Sequence, residues 1–181
     1  MKKLIILYII ILKLVFLTAC FAAEPEREYQ IKAAFLYKFL LFAEWPEEAT
    51  DESRDTIIIG IIGKDSFSNA FEPVEGEIID GRKLIIKRFK KDVSAVKLKK
   101  CHILFISPSL KKDTDKILES LNQHPVLTVS EIKEFIESGG MINFLIKENR
   151  VGFEINTSAA ESVGIKFRSK LLRVAQRIVV N

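Results

Sequence analysis

The sequence predicts an α/β fold: a single domain with a mostly parallel sheet, flanked by helices on both faces, and a C-terminal antiparallel hairpin at one edge. Three observations carry that expectation. Runs such as Thr56–Ile62, TIIIGII, are apolar throughout, as strands covered on both faces must be. These runs alternate with helical segments, the order that builds a parallel sheet through crossovers. Towards the C-terminus the pattern changes to two strands, Met141–Ile146 and Val151–Ile155, separated by Lys147-Glu148-Asn149-Arg150, the spacing of a hairpin. A chain of 181 residues without internal repeats is long enough for one substantial core.

Residues 1–19 stand apart from that domain. Lys2 and Lys3 precede an almost wholly apolar run from Leu4 to Leu17, interrupted by Lys13. This is the form of an export signal peptide, too short and wrongly flanked for an ordinary membrane-spanning helix. Leu17-Thr18-Ala19-Cys20 resembles the bacterial lipobox, which makes Cys20 the candidate lipidation site and gives the protein membrane contact through a lipid anchor. Cleavage after Ala22 is the alternative, and either reading predicts export. Residues 20–27 read as a tether and residues 28–181 as the α/β domain.

The export segment carries three lysines and no acid, so the excess of 28 Lys and Arg over 24 Asp and Glu shrinks to one in the mature chain. The basic pI therefore gives no reason to expect nucleic acid. A cluster at Lys87, Arg88, Lys90 and Lys91, followed by Lys97, Lys99 and Lys100, reads as a solvated face. Once Cys20 is lipidated or removed, Cys101 has no internal partner, and stability must come from packing.

The domain opens with EYQIKAAFLYKFLLFAEWP at residues 28–46. One apolar stripe runs through Ile31, Phe35, Phe39 and Phe42, a second through Leu36, Leu40 and Ala43. Together they exceed the roughly 100° face that a surface helix needs, so this helix is expected to be covered by its own domain and by something else. Leu36, Leu40 and Ala43, with Trp45 at the end, are the candidate partner-binding residues. Pro46 stops the helix, and an acidic loop from Glu47 to Asp55 leads into the first strand.

Gly63-Lys64-Asp65-Ser66 then turns into a short helical segment through Phe67 and Phe71. Asp80-Gly81 is a turn before a strand over Lys83–Phe89. Residues 92–100 fit a short helix or a loop, and Cys101–Ser107 is the third buried strand. Ser109 is the expected cap of a helix carrying Leu110, Ile117, Leu118 and Leu121. Val126–Val129 is a fourth strand, and Ser130 the expected cap of a short helix holding Ile132, Phe135 and Ile136, ended by Gly139-Gly140. In the hairpin, Val151, Phe153 and Ile155 alternate with Gly152, Glu154 and Asn156, which predicts one packed and one polar face. Ser158 and Glu161 match a capping box. Ser169 is the expected cap of a last amphipathic helix, with Leu171, Leu172, Ala175, Ile178 and Val179 inward, and this helix is a second candidate partner surface.

Motifs for catalysis fail on spacing. Gly60-Ile61-Ile62-Gly63-Lys64-Asp65 has two residues between its glycines where a P-loop needs four, and Asp65 where it needs Ser or Thr. His102 and His124 lack Cys or carboxylate neighbours at zinc-ligand spacing. Adjacent Cys101 and His102 point to opposite faces of a strand and cannot form a nucleophile pair. Glu154 and Asn156 are the candidate small-ligand cleft near strand ends, against the plainer reading that they tie the hairpin to the next helix. The expectation is a protein that is not an enzyme, with no metal and no cofactor.

Several separated pieces, IKAAFLYKFLLFAEWP at 31–46, TIIIGIIG at 56–63, GRKLIIKRF at 81–89, CHILFIS at 101–107, GGMINFLIKENRVGFEIN at 139–156 and SKLLRVAQRI at 169–178, stand in the order found in one family. The chain resembles the YfiR/HmsC-like family of small periplasmic proteins. The resemblance implies an exported α/β regulator that binds and represses the periplasmic part of a membrane-bound diguanylate cyclase, or another membrane signalling protein, and so lowers cyclic di-GMP and biofilm formation. A homodimer is a further expectation. Family members can carry paired disulfides; Cys101 matches a family cysteine position without an internal partner, which argues against a disulfide switch here. The alternative function is a periplasmic small-ligand sensor domain feeding a signalling kinase.

Overall fold

The computed structural model describes residues 26–46 and 55–180; the export signal, Cys20, the tether up to residue 25 and the acidic loop 47–54 lie outside the described residues. In chain order the described elements begin with α1 (residues 26–42), β1 (Ala43–Glu44), β2 (Thr56–Ile62), β3 (Ile78–Ile79), β4 (Arg82–Phe89), α2 (Ala95–Leu98) and β5 (Ile103–Ile106). A 3-10 helix (Pro108–Asp113) runs into α3 (Thr114–Ser120), followed by β6 (Leu127–Ser130), β7 (Ile142–Lys147), β8 (Arg150–Asn156), α4 (Thr157–Glu161), β9 (Lys166–Phe167), α5 (Ser169–Leu172) and β10 (Arg177–Val179).

Eight strands form one sheet in the order β10-β8-β7-β6-β5-β2-β4-β3. β4, β2, β5, β6 and β7 are parallel. The expected hairpin forms as β7 and β8, and β3 turns back on β4. The apolar run of β2 is explained by its place: Ile59 pairs with Ile86 on one side and Ile103 on the other, and both faces of the strand are covered. Ile57, Ile59 and Ile61 join one core with Leu36, Phe39 and Phe105. Ile58 and Ile62 join a second with Leu98, Leu104, Leu110 and Phe135, the period-two division a strand imposes. Gly60 breaks that second face for a steric reason, since a Cβ there would fall 2.7 Å from the Cys101 sulfur.

Local expectations were overturned where tertiary partners outcompete short-range signals. Residues 68–76 and 133–139 are turns, not helices; positive φ at Ser68 and Gly76, and at Glu134 and Gly139, interrupts any helical run. Ser130 belongs to β6, where its hydroxyl donates to the Ile106 carbonyl and accepts from Ile132 N–H. Ser107, not Ser109, caps the 3-10 helix, because Pro108 occupies the first helical position. Asn156, not Ser158, caps α4: its Oδ1 accepts from Ala159 N–H at 2.9 Å.

The largest correction is at the C-terminus. The last helix has Arg168, not Ser169, at its N-cap and stops at Leu172, and Arg177–Val179 becomes a strand parallel to β8, outside the hairpin. The open edge of β8 accepts it: Gln176 N–H donates to the Phe153 carbonyl at 2.8 Å, and the missing side chain of Gly152 leaves the space that the Gln176 side chain occupies. Edge pairing and the β-branched run Ile178-Val179-Val180 override the helical spacing. The amphipathic helix expected as a second partner surface is reduced to the single turn Ser169–Leu172.

Candidate functional site

Leu36, Leu40 and Ala43, the expected partner-facing stripe, are 0, 4 and 6% exposed. The second stripe of α1, and Phe35, Phe39 and Phe42 of the first, are covered within the chain, while Ile31 stays exposed. Phe39 stacks on Phe144 and meets Phe153 edge-on, at ring distances of 5.8 and 5.0 Å. Beyond the helix end, Ala43 pairs with Phe167 and Arg168 N–H donates to the Phe42 carbonyl, which draws the α4–β9–α5 segment into the same core through Ala160, Ile165 and Leu171. The second cover that the excess apolar surface demands is the chain's own C-terminal portion. Trp45 is half-buried with its ring 5.9 Å from that of His102, and its Nε1 is buried without a hydrogen-bond partner among the described residues.

Glu154 and Asn156 fit the plainer reading, as ties within the fold. The face of β8 that alternation predicts to be polar and solvated is covered, and both residues are buried in it. Glu154 accepts from Asn143 Nδ2 at 3.3 Å and from Arg177 Nε at 2.7 Å. Asn156 caps α4 and donates to the Ile136 carbonyl. They join hairpin, helix and last strand.

The polar cluster with the deepest charge lies instead at the C-terminal ends of the parallel strands, where open α/β sheets place ligands. Lys32 of α1 is 1% exposed and forms ion pairs with Glu28 and with Glu131, just past the end of β6. Its Nζ sits 4.5 Å from the centre of the Tyr29 ring, a cation–π geometry. Tyr29 Oη donates to Glu131 Oε1 at 2.6 Å; burial, together with that bond to a carboxylate, pushes the phenol up to about 12. Beside this cluster an open cavity of about 620 Å³ is lined by Glu26, Tyr29, Ser66, Phe67, Asn69 and their neighbours. The crevice between β2 and β5 itself is closed: Lys64 N–H donates to Ser109 Oγ at 2.9 Å, and Ser109 Oγ to Ser107 Oγ at 3.0 Å. In the sequence Lys32 is a polar residue between two apolar stripes. The signal was its register, since Lys32, Leu36 and Phe39 share the buried face at helical spacing.

At the opposite end of the sheet His102 is buried between Trp45 and Arg82. Its Nδ1 accepts from Ile58 N–H at 3.1 Å and its Nε2 lies 3.2 Å from an Arg82 guanidinium nitrogen. Burial first, and Arg82 second, lower it to about 4. Cys101 faces the other way, its sulfur 3.9 Å from the Lys97 carbonyl, and burial pushes its thiol up to about 12, against a smaller opposing pull from Lys87. The two side chains form no nucleophile pair. Among the described residues no group of three or more His, Cys, Asp or Glu side chains is placed to hold a metal ion.

A family model described as YfiR/HmsC-like matches residues 29–176. No curated protein matches the chain. Two solved structures are similar in part. A conserved domain protein from Vibrio cholerae O1 biovar eltor str. N16961 aligns with a TM-score of 0.48 and 11% identity, over 74% of this chain and 58% of that one. The ABC domain in complex with L-Trp from Streptococcus pneumonia aligns with a TM-score of 0.49 and 12% identity, over 73% of this chain and 60% of that one. The chain thus spans about three fifths of the length of each of these structures.

Proposed function

The chain belongs to the YfiR/HmsC-like family, and from that premise we propose that it is a non-enzymatic periplasmic regulator that binds and represses the periplasmic part of a membrane-bound diguanylate cyclase. The observation that carries the reading is the extent of the family match, residues 29–176, which takes in nearly all of the described fold. Family membership supports a periplasmic regulator in cyclic di-GMP signalling; the cyclase as direct partner is the finer step. No described helix is long and apolar enough to cross a membrane, and lipidation of Cys20 is the proposed means of holding the protein near its target. With Leu36, Leu40 and Ala43 buried, partner contact falls to apolar side chains that remain exposed, Ile31 and Leu41 on α1 and Val174, Ile178 and Val180 around β10.

Adding the purified mature protein to membranes containing the cyclase tests this directly. A dose-dependent fall in cyclic di-GMP synthesis, weakened by Ile31→Asp with Leu41→Asp, is expected. Unchanged synthesis at saturating protein overturns it.

One observation favours a second reading, a small-ligand sensor: the cavity beside Tyr29 and Glu26, at the strand ends where such folds bind ligands. In this reading the ligand sits in this cavity, since Glu154 and Asn156 are buried. A compound that raises the melting temperature of the wild type but not of Ala70→Trp, which fills the cavity, would support it.

A further inference from the structure

The lysine-rich middle of the chain becomes a surface only in the fold. Between Arg82 and Lys116 there are twelve Lys and Arg residues against three acids, whereas in the rest of the described chain acids outnumber bases sixteen to twelve. Both crossovers in this stretch, β4–α2–β5 and β5–3-10–α3–β6, pack on the same side of the sheet, because Leu98, Leu110, Ile117 and Leu118 share one core with Ile58, Ile62 and Leu104. Their outward sides therefore lie together. α2 and its end carry Lys97, Lys99 and Lys100; the 3-10 helix and α3 carry Lys111, Lys112 and Lys116, all at least partly exposed. Lys83 and Lys87 extend the layer from β4, on the side where Phe89 joins that core. The Lys91–Asp113 ion pair, at 2.7 Å, joins the two crossovers directly. Val96, 66% exposed, projects from α2 among the lysines.

We propose that this α2/α3 face docks on an anionic phospholipid bilayer. Charge complementarity selects that occupant. The lysines are spread over a broad surface of two short helices with one projecting apolar side chain, and no arginine fork or interleaved aromatic ring marks out a nucleic-acid groove. The excess of acids elsewhere gives the molecule a charge asymmetry that turns this face towards a negative surface. Docking is independent of the cyclase reading and of the lipid anchor; it orients the protein so that α1 and the β10 edge stay accessible.

The test is co-sedimentation of the unlipidated mature protein with phosphatidylcholine vesicles, with and without phosphatidylglycerol. Binding is expected only with phosphatidylglycerol and is lost at high salt. The triple variant Lys97→Gln, Lys99→Gln, Lys100→Gln is expected to lower partitioning by about a hundredfold, each lysine near such a surface contributing on the order of fivefold. Lys147→Gln, Lys166→Gln, Lys170→Gln, with the same change in net charge on other exposed positions, is expected to leave it within about twofold. Equal binding to both vesicle types, equal loss in the two triple variants, or binding to heparin without binding to vesicles overturns the proposal.

Discussion

Arg177 Nε lies 2.7 Å from Oε2 of Glu154, while its Nη2 lies 2.8 Å from Glu137. The guanidinium holds the Glu137 carboxyl below its ordinary range through that hydrogen bond. Glu154 is nearly buried and Arg177 about half exposed, so one acid inside the sheet fastens the strand at its edge. The register places Arg177 opposite Glu154 in the β8–β10 pairing, and Thr157 Oγ1 donates to the Val179 carbonyl further along.

Replacing Glu154 with alanine should therefore loosen β10 before anything else. Loss of a charged hydrogen bond of this kind costs about 1.5–3 kcal/mol. The expected result is fast hydrogen exchange at Gln176 and Val179 amides while β2 and β5 amides stay protected. Uniform loss of protection across the sheet would contradict the assignment.

Lys32→Met should be among the most destabilising single changes in α1. It strands Glu131 and Glu28 without their cation, and breaking a buried pair costs about 3–5 kcal/mol. The lower end applies, since the Glu28 side chain keeps 35% of its exposure. Urea unfolding of Lys32→Met and of Lys32→Met with Glu131→Leu checks it; the double variant should recover part of the loss. A single variant as stable as the wild type would show that the cluster contributes nothing.

His102 sets a pH dependence with a definite sign. Its folded value is about 4, below the ordinary 6.5 of the unfolded chain. Between those values the unfolded state binds a proton that the folded state refuses, so stability is complete above about pH 6.5 and falls as pH drops towards 4, by at most about 1.4 kcal/mol per unit. In His102→Asn, which keeps a side-chain acceptor for Ile58 N–H, the denaturation midpoint should change less over that window. Parallel curves for the two proteins would rule the histidine out as the cause.

Gly140→Ala should destabilise strongly, by about 1–3 kcal/mol or more. A Cβ at Gly140 would fall 2.2 Å from the Phe135 ring, and that ring is fixed in the core beneath the turn. Neighbouring Gly139 plays the other role, at φ +92° with open space around it. Gly139→Ala is strained at its backbone instead, and thermal melts of the two variants should both fall, with Gly140→Ala the lower.

How much was legible from sequence follows from the range of each signal. β2, β4, β5 and the hairpin were readable because a strand covered on both faces needs an unbroken apolar run, and Thr56–Ile62 has one. Leu36, Leu40 and Ala43 announced burial correctly, but periodicity cannot say whether the cover is another molecule or residues 160–171 of the same chain. Nothing local marks Lys32 as buried, because its partner Glu131 lies 99 positions away. Arg177–Val179 looked helical because Leu171 and Ala175 continue the spacing, and only the open edge of β8 makes a strand of it. Asn156 hid its capping role because Ser158 offers the commoner local motif.

Repression of a diguanylate cyclase, as proposed, makes cellular cyclic di-GMP the quantity to measure, in a deletion strain with and without the gene restored. Deletion should raise the level, and restoration should bring it back down. An unchanged level, in cells whose wild-type parent makes the protein, would contradict the proposal.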